Sequence, residues 1–202
     1  MNSLLSKGVF LDRDGVINRK APEGDYIRTW RELQFLPGVV EAVASLNDAG
    51  YLVFVATNQR GVATARIRMA DLLEVHRSIQ HEFARGGGII SQIYYCPHDT
   101  SAKCSCRKPQ PGMLQQAARE HRLELKASWM IGDSVTDIEA GYAAGCRTVL
   151  LSPRSSSEVG SSMPTMVAED LKSAVAQIRN LKDTGDGFVR TSQINFSRKL
   201  AL

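Results

Sequence analysis

The sequence of 202 residues lacks any long apolar run, which argues against a membrane-spanning helix. Its longest hydrophobic stretches, such as YLVFVAT, fall far below the roughly 20 residues that cross a bilayer. The first residues, MNSLLSKGVFLD, run directly into a strand-like segment and leave no room for a cleavable signal. We therefore expect a cytoplasmic protein with no membrane partner.

Aromatic residues and clusters of like charge are also scarce. Aromatics make up 6% of the chain, and the basic residues are dispersed although the net charge is +4. A basic zinc module that binds nucleic acid would need aromatic side chains interleaved with clustered Lys and Arg. We keep that module as an alternative of a different class, but we expect no nucleic-acid partner and interpret the charge as suited to small anionic ligands.

Cysteine is limited to four residues, and three of them fall within eleven positions. A disulfide scaffold would spread its cysteines through the chain, so this crowding favours a metal site. Cys96, His98, Cys104 and Cys106 supply three sulfurs and one imidazole, a complete tetrahedral set for Zn²⁺. Because no position is left for water, we expect this zinc to be structural. Cys146 stands apart and is predicted to pack in the core.

Short apolar runs alternate with helical patterns, which predicts an α/β fold with a doubly wound parallel sheet. We expect a single domain over residues 1–181, a serine- and proline-rich loop at 153–165 and a loosely ordered tail over 182–202. Strands are predicted at 8–12, 51–57, 89–95, 128–133 and 147–152, followed by a short strand and a helix within 166–181. Helices are predicted at 37–50, 111–122, and around 72–83 and 137–145.

Several predicted strands end in polar residues suited to metal-assisted phosphoryl chemistry. Asp12 and Asp14 follow the first strand, residues 57–59 end the second, and Asp133 follows a later one; an open parallel sheet would bring these ends together. Oxygen ligands without a nearby histidine favour Mg²⁺. One aspartate can then attack phosphorus, and a second, two residues on, can act as general acid and then as general base. Lys108 is the best candidate for neutralising the phosphoryl oxygens.

The segments LDRDGVIN, VATNQ, RKP and GDSVTD occur in this order and resemble the four motifs of the haloacid dehalogenase superfamily of phosphatases. The resemblance covers residues from about 8 to 152 and rests on the order of the motifs and on their places at strand ends. It implies a Rossmann-like fold with a minimal cap, a Mg²⁺ cofactor and an aspartyl-phosphate intermediate.

The resemblance also implies a role for each matching residue. Asp12 would be the nucleophile and Asp14 the general acid/base. The Mg²⁺ ligands would be Asp12, the backbone carbonyl of Asp14, and Asp133, while Asp137 would orient the metal site or the lysine. The remaining matches would contact the phosphoryl group or the rest of the substrate: Thr57, Asn58, Gln59, Arg60, Arg107 and Lys108.

The CxH…CxC loop over residues 95–107 narrows the resemblance to small, nearly capless phosphatases that act on heptose bisphosphates or on histidinol phosphate. GVIN, GDYI, FLPGV and IYYCPH look more like the heptose group, which implies removal of the C7 phosphate of D-glycero-D-manno-heptose 1,7-bisphosphate during nucleotide-activated heptose biosynthesis. Histidinol-phosphate phosphatase or another small sugar phosphatase is the alternative. Arg60 and the GVATARIR segment depart from the family pattern and leave the preferred anomer open. A monomer is expected.

Three further expectations concern single side chains. Bound zinc should hold Arg107 and Lys108 toward the phosphate, since both follow the zinc loop directly. Strand alternation predicts that Arg13 points away from Asp12 and Asp14. His76, on a predicted helix without a second ligand at useful spacing, is expected at the surface or in packing.

Overall fold

The computed structural model describes residues 5–152 and 163–183, and its strands form one six-stranded parallel sheet. The order β3-β2-β1-β4-β5-β6 shows that the chain builds outward from β1 on one side and then returns to build the other side. This confirms the predicted doubly wound sheet. The strands are β1 (Lys7–Leu11), β2 (Tyr51–Asn58), β3 (Ile90–Cys96), β4 (Trp129–Gly132), β5 (Arg147–Leu151) and β6 (Met166–Ala168).

The helices lie close to their predicted positions. In α4 the first turn is closed by a reciprocal capping box between Ser134 and Asp137, which satisfies free backbone N–H groups. The last helix extends two residues into the predicted tail, while 184–202 and most of the predicted loop, 153–162, lie outside the described residues. The helices are α1 (Val39–Asp48), α2 (Met69–Arg85), α3 (Gly112–His121), α4 (Val135–Ala144) and α5 (Leu171–Asp183).

Two buried apolar clusters cover opposite faces of the sheet. Along β1, Val9 and Leu11 belong to one cluster and Phe10 to the other, because side chains alternate across a strand. Helices α1, α2 and α5 pack on the first face, and α3 packs on the second. Cys146 is buried in the second cluster, as predicted.

The strand order reverses between β1 and β4, and open α/β sheets bind ligands at the carboxyl ends of strands beside such a reversal. Asp12 follows β1 and Asp133 follows β4, so both residues lie at this point. The connections 12–38, 59–68 and 97–111 leave the same edge of the sheet, and the described part of the chain contains no separate cap domain. None of its helices combines the length and apolar character that spanning a bilayer requires.

Leu46 offers a direct test of the packing of α1 on the sheet, since its side chain is fully buried. Leu46→Ala is expected to lower the free energy of unfolding by about 2–5 kcal/mol through lost burial and a residual cavity. Chemical denaturation measures this loss. The matched control is Leu73→Ala on α2, where the leucine is 37% exposed. An equal loss in both variants would contradict the described packing.

Candidate active site

A buried lysine joins the elements that meet at the strand reversal. The ammonium nitrogen Nζ of Lys108 lies 2.9 Å from Oδ1 of Asp12, 2.6 Å from Oδ1 of Asp137 and 2.7 Å from the carbonyl oxygen of Ala56. Burial alone would lower the pKa of Lys108, but the charges of Asp12 and Asp137 outweigh burial and raise it. Lys108 is therefore a fixed positive charge at the centre of the site.

Three carboxylates surround this centre. Oxygens of Asp12, Asp133 and Asp137 all lie within 4.8 Å of one another. Oδ1 of Asp133 is buried and has no hydrogen-bond partner among the described residues. Acidic groups this close require cations, and an all-oxygen set with a free buried oxygen fits Mg²⁺. The structure thus brings together the side chains of Asp12 and Asp133, as the predicted magnesium site requires.

Glycine at position 15 permits this close approach. Gly15 has a φ of +97°, and a Cβ added there would lie 1.8 Å from Oδ2 of Asp133. Any side chain at this position would therefore collide with a predicted metal ligand. The carboxylate of Asp14 is not part of the acidic cluster. The binding of the metal ion by the backbone carbonyl of Asp14 remains a prediction.

Asp12 is the predicted nucleophile, so its protonation state decides whether it can attack phosphorus. Its withdrawal from water raises the pKa of its carboxyl to about 6, although Lys108 acts in the opposite direction; the nearby Asp137 raises the pKa further. A carboxylate attacks phosphorus only in its ionised form. Lys108 and a divalent cation would both favour that form.

Four hydrogen-bond donors from three side chains hold the carboxylate of Asp14. Arg13 donates from Nη2 to Oδ2 at 2.8 Å and from Nε to Oδ1 at 3.2 Å. Asn18 donates to Oδ1 at 2.9 Å, and Gln59 donates to Oδ2 at 3.1 Å. Burial would raise the pKa of Asp14, but Arg13 and these hydrogen bonds lower it. Asp14 is therefore held ionised and in a defined orientation.

The prediction that Arg13 points away from the aspartates is wrong. Its side chain is fully buried and returns to Asp14. Alternation holds only within extended strand, and β1 ends at Leu11. Beyond that residue the chain turns, with the carbonyl of Arg13 accepting the N–H of Ile17 at 2.9 Å. The turn redirects the guanidinium.

The polar residues at the end of β2 link the other groups to one another. Gln59 donates to Oγ1 of Thr57 at 2.9 Å as well as to Asp14, so it connects the predicted acid/base to the predicted phosphoryl contact. Asn58 donates to the backbone carbonyl of Lys108 and accepts its N–H, both at 3.0 Å. Asn58 thus fixes the lysine backbone, whereas a direct substrate contact for it remains a prediction. No sequence spacing indicates this pairing, because the two residues are far apart in the chain.

The two arginines predicted to contact substrate have different surroundings. Arg107 has a buried Nη1 without a hydrogen-bond partner among the described residues, as a side chain facing an anion site would. Arg60 is half exposed, and its Nε lies 3.0 Å from Oδ2 of Asp99 in the zinc loop. Arg60 is therefore paired with an acid, and its contact with substrate remains a prediction.

A cavity of about 660 Å³ adjoins the acidic cluster. It lies beside Asp133 and Ser134 and extends along the carboxyl ends of β4 and β5 to the start of α5. Cavities of this size accommodate small organic ligands. Of the predicted site residues only Asp133 lines this cavity, so the cavity does not enclose the predicted nucleophile or the buried lysine.

The predicted zinc ligands converge in one cluster. Sγ of Cys96 lies 3.5 Å from both Nδ1 of His98 and Sγ of Cys104, and Sγ of Cys106 lies 3.4 Å from Sγ of Cys104. Burial opposes ionisation of Cys104, but hydrogen bonds from Cys106 and the backbone of Arg107 help to lower the pKa of its thiol to about 6. These donors and distances fit a closed tetrahedral zinc site.

The chain is similar in sequence to known phosphatases. A family model described as HAD-hydrolase-like matches residues 105–174. A curated D-glycero-beta-D-manno-heptose-1,7-bisphosphate 7-phosphatase from Pseudomonas aeruginosa is 38% identical over 84% of this chain and 96% of its own length. A curated D-glycero-alpha-D-manno-heptose-1,7-bisphosphate 7-phosphatase from Mycobacterium bovis is 39% identical over 75% of this chain and 82% of its own length.

A solved structure is also similar. The crystal structure of D,D-heptose 1,7-bisphosphate phosphatase from B. bronchiseptica, complexed with magnesium and phosphate, aligns with a TM-score of 0.79 and 34% identity. The alignment covers 86% of this chain and 98% of that one. These similarities cover 75–86% of this chain and 82–98% of the similar proteins.

His76 lies behind Arg13, with Nε2 3.5 Å from Nη1, and its ring packs 5.4 Å from that of Tyr95. Of the two expectations for His76, a surface position or packing, the structure shows packing, since the side chain is buried. Burial, and then the charge of Arg13, lower the pKa of His76 from 6.5 to about 3, while Asp14 acts in the opposite direction. The unfolded chain therefore binds a proton at a higher pH than the folded protein does.

This difference predicts that His76 contributes stability above pH 6.5 and that the contribution is lost as the pH falls toward 3. Between these values, wild type should lose up to about 1.4 kcal/mol of unfolding free energy per pH unit more than His76→Gln. Denaturant unfolding at several pH values measures the slopes. His81→Gln, the same change at an exposed position of α2, is the control. Equal slopes in wild type and His76→Gln would contradict the prediction.

Proposed function

This chain belongs to the family of D-glycero-D-manno-heptose-1,7-bisphosphate 7-phosphatases among the HAD-like hydrolases, and we propose that it hydrolyses the C7 phosphate of that bisphosphate. The observation that supports this most strongly is the convergence of Asp12, Asp133 and Lys108 from three separate parts of the chain. The similar proteins favour the heptose bisphosphate over histidinol phosphate and over a nucleic-acid ligand. They include enzymes named for each anomer, so the preferred anomer requires a measurement.

The first chemical step is transfer of the phosphoryl group to Asp12. An oxygen of Asp12 attacks phosphorus, and the bond between phosphorus and the sugar oxygen breaks. Asp14 takes up a proton from solvent as the negatively charged phosphate approaches, and it donates this proton to the departing oxygen, which leaves as the C7 hydroxyl. Asp14 lies next to the phosphoryl site, because Gln59 bridges it to Thr57.

The second step releases phosphate. Asp14, now ionised, takes a proton from a water molecule that attacks the phosphorus of the aspartyl phosphate. The bond between phosphorus and Asp12 breaks, which restores the carboxylate and frees inorganic phosphate. Arg13, Asn18 and Gln59 stabilise the ionised form of Asp14 that this step needs.

Three side chains would neutralise or bind the phosphoryl oxygens. Lys108 supplies a fixed ammonium, Thr57 a hydroxyl, and Arg107 an unpaired buried guanidinium nitrogen. Mg²⁺ held by Asp12 and Asp133 would supply further positive charge that reduces repulsion between the phosphate and the carboxylates.

Zinc is the proposed ion of the cysteine and histidine cluster, with a structural role. The cluster ends at Cys106, directly before Arg107 and Lys108, so a bound zinc ion would help to hold both cations in place. The chain is further proposed to act as a monomer in the cytoplasm; both properties remain predictions.

Phosphate release with Mg²⁺ tests the proposed reaction. We expect turnover of heptose 1,7-bisphosphate to exceed that of sugar monophosphates and histidinol phosphate, with heptose 1-phosphate as the product identified by ³¹P NMR. Parallel assays of the α and β anomers decide the preference. Asp12→Asn should lower kcat by about 10³-fold or more, because it removes the nucleophile.

The control for this variant is Asp48→Asn, the same change at an exposed residue of α1, which should retain full activity. Loss of the C1 phosphate, or efficient turnover by Asp12→Asn, would disprove the proposed reaction.

Removal of zinc tests the role of the loop. Stripping zinc with a chelator, followed by dialysis into excess Mg²⁺, should reduce kcat/KM by about 10–100-fold, because Arg107 and Lys108 lose their support. Added zinc should restore the rate, and Cys104→Ser should show the same defect. Cys146→Ala, outside the cluster, should keep its activity. If protein with no measurable zinc keeps the same kinetics, the zinc loop does not support the reaction.

A further inference from the structure

A second lysine, Lys20, contacts the acidic cluster, and unlike Lys108 it is exposed to solvent. Nζ of Lys20, in the connection between β1 and α1, lies 2.7 Å from Oδ2 of Asp133. The side chain of Lys20 is 55% exposed, whereas that of Asp133 is only 17% exposed. Lys20 is therefore an exposed cation paired with a mostly buried member of the acidic cluster.

Lys20 differs from Lys108 in how firmly it is held. Lys108 is buried and contacts two carboxylates and a backbone carbonyl. Lys20 has one carboxylate partner among the described residues, and most of its side chain is already in water. Breaking the pair with Asp133 costs the exposed ammonium little, because water solvates it well, whereas the mostly buried carboxylate then requires another cation in its place. Lys20 can leave the cluster, while Lys108 cannot.

The charge balance of the acidic cluster indicates when Lys20 is required to neutralise the carboxylates. Asp12, Asp133 and Asp137 carry three negative charges when ionised, and the two lysines supply two positive charges. A divalent cation together with Lys108 would neutralise the three carboxylates without Lys20. The ammonium of Lys20 and the cation thus satisfy the same electrostatic requirement.

We propose that Lys20 competes with a divalent cation for Asp133 and is released from this carboxylate when the cation binds. Lys20 occupies Oδ2, whereas Oδ1 is buried and has no hydrogen-bond partner among the described residues, so the carboxylate has one oxygen left for the cation. Two positive charges on one carboxylate weaken each other's binding, and this coupling is reciprocal. The proposal takes the magnesium site from the proposed function, and in that function the released ammonium becomes available to the arriving phosphate.

Calorimetric titration of the full-length protein with Mg²⁺ alone tests this competition. Lys20→Met should bind Mg²⁺ about fivefold more tightly than wild type, since the competing charge is removed. Lys20→Arg, which retains the charge, should bind like wild type. Lys7→Met removes an equal charge from an exposed position at the start of β1 and should have no effect. Equal or weaker binding by Lys20→Met would overturn the proposal, and weaker binding would instead show that Lys20 orients Asp133 for the metal.

Acylation of lysines followed by peptide mass spectrometry measures the release itself. Mg²⁺ should increase the acylation rate of Lys20 severalfold while leaving that of Lys7 unchanged, because only Lys20 loses an acidic partner. In Asp133→Asn, Lys20 should react rapidly without Mg²⁺. An unchanged rate for Lys20 in either comparison would contradict the proposal. Neither experiment uses a substrate, so their failure is distinguishable from failure of the proposed reaction.

Discussion

The burial of the Lys108 ammonium is the constraint on which the site depends. A charged group withdrawn from water is tolerated only when it is paired and hydrogen-bonded. Lys108 meets this requirement with Asp12, Asp137 and the carbonyl of Ala56, which belong to three different parts of the fold. The same contacts that stabilise the lysine therefore hold it beside the predicted nucleophile, Asp12, and beside Asp137 of the acidic cluster. Asn58 completes the arrangement by fixing the lysine backbone.

Asp137 shows how local structure and chemistry are joined in one side chain. Its Oδ2 accepts hydrogen bonds from the backbone N–H and hydroxyl of Ser134, the N-cap residue of α4, and its Oδ1 lies 2.6 Å from Nζ of Lys108. A Cβ at Gly132 would lie 2.1 Å from the Cβ of Asp137, so only glycine fits at the end of β4. The GDSVTD segment thus combines a close backbone approach, a helix cap and an ion pair. Removing any of these would displace the partner of the buried lysine.

Helices and strands with a strong apolar periodicity could be predicted from the sequence. Side-chain contacts made in turns or between distant segments could not. The strands and helices have clear apolar patterns, and the zinc ligands lie so close in the chain that their convergence required little of the fold. The position of Arg13 was predicted incorrectly because it lies in a turn, where strand alternation does not apply. The pairs Asn58–Lys108 and Lys20–Asp133 join distant segments through side-chain geometry, and no spacing rule indicates them. Resemblance predicted which residues belong to the site, whereas only the structure shows which side chains contact one another.

The most direct test of this account is to trap the covalent intermediate. Rapid quenching of the protein during turnover of heptose 1,7-bisphosphate with Mg²⁺, followed by borohydride, reduces an aspartyl phosphate to homoserine, which peptide mass mapping locates. The account predicts homoserine at Asp12, dependent on substrate and on Mg²⁺. Homoserine at another aspartate, or none in samples quenched before the first turnover is complete, would contradict it.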